Sequence, residues 1–330
     1  MEKAKLCAKC GKCLSVCPVY SATKRETFSP RGRVTLLQAR LLAHEALAAC
    51  LLCGACEALC PNQIPLTKLI FEARLRHTSP WARGIPLLQV LGAKLRPRFA
   101  EEASLPDEGD VALFLGCGAD FLYPEATKSL VSLLRQKEIK LALPKGQGCC
   151  GLPALSLGDK TLFLEYARKN LEALAQAESI ITLCASCLYT FAELYPYFLE
   201  NTPLGPLARE IATKIFEAGE FLFTRLDLSP QLSTPALFQV PCHLRNLKRP
   251  KWWHKVNIFA YEGCCGAGGT FGLRFKKESS QIVRPLSKVL EKSFLPLIIT
   301  SCTACWWSLK RRYPRLIVQM LPQALSAGAN

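Results

Sequence analysis

The 330-residue sequence predicts a fold of the α+β and α/β class, with a helical N-terminal domain followed by two similar α/β halves. Three observations predict it. Apolar residues recur at helical spacing within residues 1–78, short apolar runs alternate with helical stretches after residue 108, and the cysteine pattern of this second region occurs twice. Half of all residues are hydrophobic, so the chain can bury a sizeable core.

The N-terminal domain, residues 1–78, is predicted to consist of short loops around two helices. Apolar side chains follow helical spacing over Arg31–Ala49 and again over Ile64–Leu75. The next segment, residues 79–108, contains three prolines and several basic side chains. This composition predicts a helix followed by a linker.

The two α/β halves are predicted to span residues 109–228 and 229–330. The predicted strands are Val111–Leu115, Ile180–Leu183, Ala236–Val240, Val256–Ala260 and Leu297–Thr300. The predicted helices between them include Pro124–Lys137, Thr161–Gln176 and Glu278–Lys292. Such alternation is typical of a parallel sheet.

Each half repeats one order of cysteines: a single cysteine after a strand, then Cys-Cys-Gly, a long helix, and Cys-x-x-Cys after another strand. The first half has Cys117, Cys149, Cys150, Cys184 and Cys187, and the second has Cys242, Cys264, Cys265, Cys302 and Cys305. The carboxyl edge of an open parallel sheet forms a binding crevice. We therefore expect two such crevices close to each other, related by a pseudo-twofold axis.

Eighteen cysteines are the unusual feature of the composition. The N-terminus shows no apolar signal segment, and no run approaches the roughly 18 apolar residues of a membrane span. We therefore expect a cytoplasmic protein without a transmembrane segment. In that reducing compartment, clustered cysteines bind metal or perform redox chemistry more often than they form disulfides.

Two copies of Cys-x2-Cys-x2-Cys-x3-Cys-Pro lie in the N-terminal domain. The copies are Cys7, Cys10, Cys13, Cys17 and Pro18, and Cys50, Cys53, Cys56, Cys60 and Pro61. In this spacing three thiolates surround one [4Fe–4S] cluster and the fourth binds the other. The spacing predicts two ferredoxin-type clusters: cluster 1 on Cys7, Cys10, Cys13 and Cys60, and cluster 2 on Cys50, Cys53, Cys56 and Cys17.

Zinc is the alternative occupant, but its sites usually combine two separated Cys-x-x-Cys pairs, which fits these runs poorly.

The formal net charge is +16. Two clusters of charge about −2 would lower it to about +12. The remaining positive charge favours an acidic partner subunit or an anionic membrane face.

The Cys-Cys-Gly halves resemble the CCG-domain iron–sulfur proteins, a family that includes heterodisulfide reductase subunits. The order of a dicluster ferredoxin domain before two CCG halves resembles the iron–sulfur subunits of glycolate oxidase and of anaerobic glycerol-3-phosphate dehydrogenase. Ser29-Pro30-Arg31-Gly32-Arg33 resembles a Pro-Arg-Gly-Arg segment of the glycolate oxidase subunit. The alternative interpretation of this segment is a helix start whose arginines balance cluster charge.

The resemblance implies an electron-transfer subunit of an oxidoreductase. Its FAD-containing partner would oxidise a small 2-hydroxy acid such as glycolate or D-lactate, and a quinone or another acceptor would receive the electrons. The protein itself is expected in the cytoplasm or peripherally on the inner face of the cytoplasmic membrane. Nothing in the sequence resembles a flavin site or a hydrolytic triad, so no catalytic residue is predicted. A subunit that reduces a disulfide at a CCG site, and a glycerol-3-phosphate dehydrogenase subunit, are the alternatives.

The resemblance also implies that each group of five CCG cysteines holds a further iron–sulfur cluster. Only 21 residues separate Cys242 from Cys264, against 31 between Cys117 and Cys149, so the second half lacks most of a helix. The second site is therefore left open among a cluster, zinc and no metal.

Three further features allow other interpretations. Gly266-Ala267-Gly268-Gly269 lacks a dinucleotide fingerprint and is interpreted as room for close backbone packing. His243, next to Cys242, is interpreted as a hydrogen-bonding neighbour rather than a ligand. Basic and aromatic residues mix in Lys248–Lys255 and Trp306–Arg312; nucleic-acid binding is possible there, but partner docking is favoured, and no nucleic-acid partner is predicted.

Overall fold

The computed structural model describes residues 2–77, 99–228, 232, 234–256, 258–293 and 295–326. Most of the helix and linker predicted over residues 79–108 lies outside these residues. Its described end contains the short helix Phe99–Glu102.

The N-terminal domain consists of short helices around two cysteine loops. The 3-10 segments are Glu2–Leu6, Lys12–Leu14 and Glu26–Phe28, and the helices are α1 (Pro18–Thr23), α2 (Pro30–Gln38), α3 (Glu45–Ala48), α4 (Ala55–Ala58) and α5 (Leu66–Arg76). The prediction of one helix over Arg31–Ala49 is wrong, because Arg40 is left-handed with φ 57° and ends it.

Local sequence explains where α2 and α3 begin. The Ser29 side chain accepts a hydrogen bond from the Gly32 amide, and Pro30 occupies the first helical position of α2. His44 caps α3 by accepting a hydrogen bond from the amide of Ala46. The Cys-Pro sequence starts α1 in the same way, with Cys17 at the N-cap position.

Each half contains a four-stranded parallel sheet of the same topology. The first is β1 (Val111–Phe114), β2 (Leu141–Ala142), β3 (Ser179–Thr182) and β4 (Ile215–Glu217), in the order β2-β1-β3-β4. The second is β5 (Ala236–Gln239), β6 (Phe259–Tyr261), β7 (Leu297–Thr300) and β8 (Ile317–Met320), in the order β6-β5-β7-β8. The repeat inferred from the cysteines is thus a repeat of fold.

Helices surround the two sheets. The segment before the first half contributes α6 (Phe99–Glu102). In the first half the helices are α7 (Pro124–Arg135), α8 (Leu152–Leu157), α9 (Lys160–Ala173), α10 (Ala185–Tyr189), α11 (Tyr195–Leu199), α12 (Gly205–Lys214) and α13 (Ala218–Glu220). In the second they are α14 (Cys242–Arg245), α15 (Phe271–Arg274), α16 (Lys276–Ser293), α17 (Thr303–Arg312) and α18 (Leu321–Ser326). π-helical turns occupy Gly118–Leu122, Thr190–Leu194 and Phe221–Arg225.

The two halves differ where the sequence predicts a lost helix. The helix α7 connects β1 to β2, whereas only the single turn α14 and the 3-10 segment Trp252–His254 connect β5 to β6 in the described residues. The C-terminal helix α18 packs against α7, so the end of the second half covers the first half. A continuous apolar core includes buried side chains of the N-terminal domain and of both halves.

Candidate metal centres

The two N-terminal cysteine loops have the same backbone conformation. Lys9 and Leu52 are left-handed at φ 55° and 58°, and Gly11 and Gly54 follow two residues later at φ 81° and 74°. The left-handed residues therefore bend each loop at two positions between its first and third cysteines. This geometry turns three cysteines of one short segment around a common centre.

The first loop surrounds a small cavity together with a cysteine from the second motif. Cys7, Cys10 and Cys13 line this cavity, and Cys60 lines it from the far end of the second run. Cys10 is exposed to solvent and the other three are half-buried. The structure thus brings together the four cysteines predicted for cluster 1.

The second loop lies deeper in the protein. Burial raises the pKa of Cys53 to about 12, and the negative charges of Cys50 and Cys17 contribute to that rise. Burial likewise raises the pKa of Cys56, with contributions from Cys53, Cys50 and Cys17. The structure thus places Cys17 beside the second motif, in the set predicted for cluster 2.

The chemistry of these donors fits an iron–sulfur group. Burial disfavours the thiolate forms of Cys53 and Cys56, a cost that a bound metal centre offsets, and soft thiolates select zinc or iron–sulfur clusters. Within the described residues, no three Cys, His, Asp or Glu side chains converge as they would around a single metal ion.

The five cysteines of the first half form a connected group at the carboxyl ends of β1 and β3. Cys149 is hydrogen-bonded to Cys117 and to Cys150. Hydrogen bonds from Cys149 and Cys187 hold the pKa of Cys150 well below its usual range. Gly116 is left-handed, and a β-carbon there would lie 3.1 Å from the sulfur of Cys187, so glycine suits this close approach best.

The second half reproduces this arrangement. Hydrogen bonds from Cys264 and Cys305 hold the pKa of Cys265 well below its usual range, and the sulfurs of Cys305 and Cys265 are 3.1 Å apart. The amide of Gly266 donates to the sulfur of Cys264 at 3.3 Å, as the amide of Gly151 does to that of Cys149 at 3.5 Å. Burial raises the pKa of Cys242, and the negative charges of Cys53, Cys265 and Cys302 raise it further.

The two groups of five touch each other. Cys302 of the second half helps to hold the pKa of Cys184 of the first half well below its usual range. Beside these cysteines, the Ala185 amide donates to the Ser301 carbonyl at 2.8 Å, and the Ser186 hydroxyl lies 3.3 Å from the Cys302 sulfur. The expected proximity of the two crevices is therefore confirmed.

The loop of the second N-terminal motif packs directly on the second half. The Nε2 atom of His243 donates to the Leu52 carbonyl at 3.0 Å, because a carbonyl can only accept. Asn246 donates to the Cys53 carbonyl at 2.6 Å. A β-carbon on Gly268 would lie 2.4 Å from the Leu51 carbonyl oxygen, so the glycine-rich stretch provides room for this contact, as predicted.

His243 holds several elements together. Its Nδ1 atom accepts from the Ser186 hydroxyl at 3.0 Å, and its ring stacks on that of Tyr189 with the ring centroids 4.5 Å apart. Burial lowers the pKa of His243, so the imidazole is neutral at pH 7. With both nitrogens hydrogen-bonded, His243 is a hydrogen-bonding neighbour of the cysteines, as the sequence indicates.

The charges near the two CCG groups differ in sign. Three residues after Cys117 lies the buried Asp120, whereas Arg245 lies three residues after Cys242. The positive charge of Arg245 opposes the burial that raises the pKa of both Cys242 and Cys53. The site of the second half and the adjacent N-terminal site therefore share a cation that the first half does not have at the equivalent position.

Other side chains support the cysteine loops without any signal in the sequence. In the first half, Asn170 donates to the Cys149 carbonyl at 2.9 Å and Tyr195 donates to the Cys150 carbonyl at 3.0 Å. In the second, Ser308 donates to the Cys265 carbonyl at 2.7 Å. Because these partners are 21 to 45 residues from the cysteines they support, no local motif identifies them.

The aromatic residues in Lys248–Lys255 do not form a surface for nucleic acid. Trp252 and Trp253 are each 1% exposed, and the Trp252 indole donates to Glu217 at 3.1 Å. Aromatic stacking on bases requires exposed rings, so this alternative is wrong for these two residues.

Among the described residues, no helix is both long and apolar enough to cross a membrane.

Comparison with known families supports both cysteine patterns. The family model described as a 4Fe-4S dicluster domain matches residues 3–64, and the cysteine-rich domain model CCG matches residues 111–192 and 236–310. Fold and sites together define an iron–sulfur protein with a dicluster domain and paired cysteine-rich domains.

The chain is 30% identical to lactate utilization protein A 1 of Bacillus mycoides over 220 residues, covering 62% of this chain and 90% of that protein. It is 29% identical to lactate utilization protein A of Geobacillus kaustophilus, over 62% of this chain and 92% of that protein. The chain belongs to the family of CCG iron–sulfur proteins that includes lactate utilization protein A.

Two further similarities extend over more of the chain. A subunit of the anaerobic glycerol-3-phosphate dehydrogenase of Escherichia coli is 28% identical, and the match covers 97% of this chain and 98% of that protein. The crystal structure of a hypothetical protein from Helicobacter pylori superposes with a TM-score of 0.50 and 12% identity. That match covers 81% of this chain and 58% of the other, and it concerns the fold alone.

Proposed function

We propose that this chain is the iron–sulfur electron-transfer subunit of a flavin-linked dehydrogenase complex. Its FAD-containing partner oxidises a small 2-hydroxy acid, glycolate or D-lactate, and a quinone or another acceptor receives the electrons. Two relatives are named for lactate utilization, and another is named as a dehydrogenase subunit. These names support the class of complex, and the choice of glycolate or lactate is part of the proposal.

The cysteines are assigned to sites as follows. Cys7, Cys10, Cys13 and Cys60 hold one [4Fe–4S] cluster, and Cys17, Cys50, Cys53 and Cys56 hold the other. Each group of five CCG cysteines forms a further iron–sulfur site. When bound, such clusters accept and release single electrons, which is the chemistry that this function requires.

The observation that carries the proposal is the continuity of the sulfur sites. Asn246, four residues after Cys242 of the second half, donates to the carbonyl of Cys53 in the N-terminal domain at 2.6 Å. The hydroxyl of Ser186, two residues after Cys184 of the first half, lies 3.3 Å from the sulfur of Cys302 in the second. This arrangement supports four sites in a series from the N-terminal domain through the second half to the first.

The two ends of this series lie near solvent. At one end, Cys10 is exposed beside the exposed Lys9 and Lys12. At the other, Cys117 and Cys149 line a cavity of about 580 Å³. The basic end suits an acidic partner protein by charge complementarity, because opposite surface charges accelerate association.

Anaerobic purification with iron counting and EPR tests the proposal directly. We expect about eight iron atoms or more per chain and EPR signals that appear on reduction. A second experiment mixes the oxidised protein with the flavoprotein that co-purifies from its host. D-lactate, glycolate or glycerol-3-phosphate is then added in separate samples. We expect the visible absorbance of the clusters to bleach with one of these substrate classes. A colourless, iron-free protein would contradict the proposal.

A disulfide reductase is the second candidate, and the cavity beside Cys117 and Cys149 favours it. This cavity would admit a small molecule to the first CCG group. Reduction of an organic disulfide needs two electrons and two protons and yields two thiols, with the electrons supplied by a reduced carrier. If a disulfide oxidised the reduced carrier in the presence of this protein and without any flavoprotein, this candidate would be favoured over the first.

A further inference from the structure

Two arginines are buried in the N-terminal domain without an acidic partner. Arg33 is 2% exposed and Arg74 is 7% exposed. No carboxylate in the part of the chain that the structure describes forms an ion pair with either, whereas the partly buried Arg249 pairs with Glu220 at 2.8 Å. An unpaired buried charge is strongly unfavourable, so an anion other than a carboxylate is needed here.

Arg33 connects α2 to the segment before the second cysteine loop. Its Nε atom donates to the Ala46 carbonyl at 2.8 Å and its Nη2 atom to the Ala49 carbonyl at 3.0 Å. Its Nη1 atom donates to the sulfur of Cys17 at 3.8 Å. The guanidinium is thereby fixed beside a cysteine of the deeper site.

Arg74 approaches the same site from α5. It donates to the carbonyls of Leu47 and Ala48 at 2.8 Å and 3.0 Å, and to that of Cys50 at 3.0 Å. A guanidinium stays protonated in proteins, so Arg74 brings a fixed positive charge to the loop that carries Cys50.

The shallower site lacks a buried cation of this kind among the described residues. Arg31 lies beside the loop of Cys7, Cys10 and Cys13, but its side chain is 34% exposed and pairs with Glu26 at 2.8 Å. Lys9 and Lys12 are exposed, so water and salt screen their charges. The positive charges are therefore effective at the deeper site, where they are buried, and weak at the shallower site, where they are exposed.

We propose that Arg33 and Arg74 are the buried counter-ions of the cluster held by Cys17, Cys50, Cys53 and Cys56, and that they give it the higher reduction potential of the two N-terminal clusters. The inference rests on the ligand sets given under Proposed function. One-electron reduction takes a cluster with four thiolates from about −2 to about −3 without forming or breaking a bond. Fixed positive charges stabilise the more negative state, most strongly in a low dielectric.

An EPR-monitored redox titration of the full-length protein, reduced stepwise with dithionite, tests this. Arg33→Gln and Arg74→Gln should each shift the reduction equilibrium of one N-terminal cluster about tenfold or more toward the oxidised form, about 59 mV per tenfold for one electron. The reduction potential of the other N-terminal cluster should not change. This cluster is recognised by the EPR signal that the Cys10→Ser substitution alters. Arg31→Gln is the matched control, and it should leave the shifted cluster at its wild-type potential.

Iron content and a charge-conserving variant separate the remaining outcomes. If Arg33→Gln binds too little iron to titrate, Arg33→Lys should bind it and keep a potential near that of the wild type. Unchanged potentials in Arg33→Gln and Arg74→Gln, an equal shift of both clusters, or loss of iron in Arg33→Lys as well would overturn the inference. A wild-type chain without iron at the two motifs would instead overturn the proposed function itself.

Discussion

At the scale of single residues, the fourth cysteine of each N-terminal run decides how the two sites are built. Cys17 is 7% exposed and lies beside Cys50, Cys53 and Cys56 rather than in solvent. Cys60 lines the cavity of the first loop. Each run therefore contributes to both sites, and neither can form fully from one run.

This crossing predicts which cluster each substitution removes. We expect Cys17→Ser to abolish the cluster of the second loop and to leave that of the first, because serine is a much poorer ligand for iron than a thiolate. Cys60→Ser should have the opposite effect. EPR spectra and iron counts of the two variants check this, with Ser15→Ala, an exposed neighbour, as the control. Loss of the first cluster alone in Cys17→Ser would contradict the crossed assignment.

Glu217 predicts a pH dependence of stability. Burial raises its pKa to about 8, and its Oε1 atom has no hydrogen-bond partner among the described residues. Between pH 4.5 and about 8 the folded chain keeps a proton that the unfolded chain has lost, so the free energy of unfolding falls as pH rises through this window. The slope is at most about 1.4 kcal/mol per pH unit for one proton.

Glu217→Gln should remove this dependence, because glutamine is neutral and still accepts from the Trp252 indole. We expect its melting temperature to exceed that of the wild type by more at pH 8 than at pH 6. The exposed, surface-paired Glu210→Gln serves as the control and should show no such difference. An equal gain at both pH values would mean that Glu217 is ionised throughout.

At the scale of elements, the strands that precede cysteines were predictable and most others were not. The strands β1, β3, β5 and β7 are buried apolar runs followed within three residues by a cysteine. The edge strand β2 has only two residues, and β4 directly follows a helix, so neither leaves a periodic signal. The strand β8 alternates exposed and buried residues over only four positions, which is too short to predict.

The Cys-Cys-Gly turns give the element-scale prediction. Gly266 is left-handed at φ 71°, and a β-carbon there would lie 2.7 Å from the Ser279 carbonyl oxygen, a backbone atom that cannot rotate away. We expect Gly266→Ala to lower the free energy of unfolding by about 2–4 kcal/mol, from left-handed strain plus overpacking. Denaturant unfolding measures this.

Gly146→Ala is the matched control for that change. Gly146 is also left-handed, at φ 86°, but its nearest neighbour would be the Ala173 β-carbon at 4.0 Å. Only the conformational cost of about 1–2 kcal/mol then applies. Equal losses in the two variants would show that the contact with Ser279 adds nothing.

At the scale of the whole molecule, the sequence predicts the sites but not their order in space. Residue spacing identifies each cysteine set, because ligands of one loop are close in sequence. The contact of Leu52 with His243 joins residues 191 positions apart, and no local pattern encodes it. Arg74 gives no signal either, because its apolar helical surroundings resemble an ordinary amphipathic helix, on which arginine is normally exposed.

The N-terminal domain and the CCG halves share one core, which predicts a single cooperative unfolding transition. Phe71 packs edge-on against Phe198 with the ring centroids 6.3 Å apart, Arg74 donates to the Ser156 carbonyl at 3.1 Å, and Lys68 pairs with Glu193 at 2.9 Å. Loss of cluster absorbance and loss of far-UV ellipticity should therefore coincide on addition of denaturant under anaerobic conditions.

His243→Ala should move both signals together to lower denaturant, because it leaves the buried Leu52 carbonyl without its donor and opens a cavity beside Tyr189. We expect a loss of about 2–4 kcal/mol in the free energy of unfolding. The exposed His254→Ala should change it by less than about 0.5 kcal/mol. If His243→Ala shifted only the absorbance, the N-terminal domain would unfold separately, and the contact through His243 would not couple the stability of the two parts.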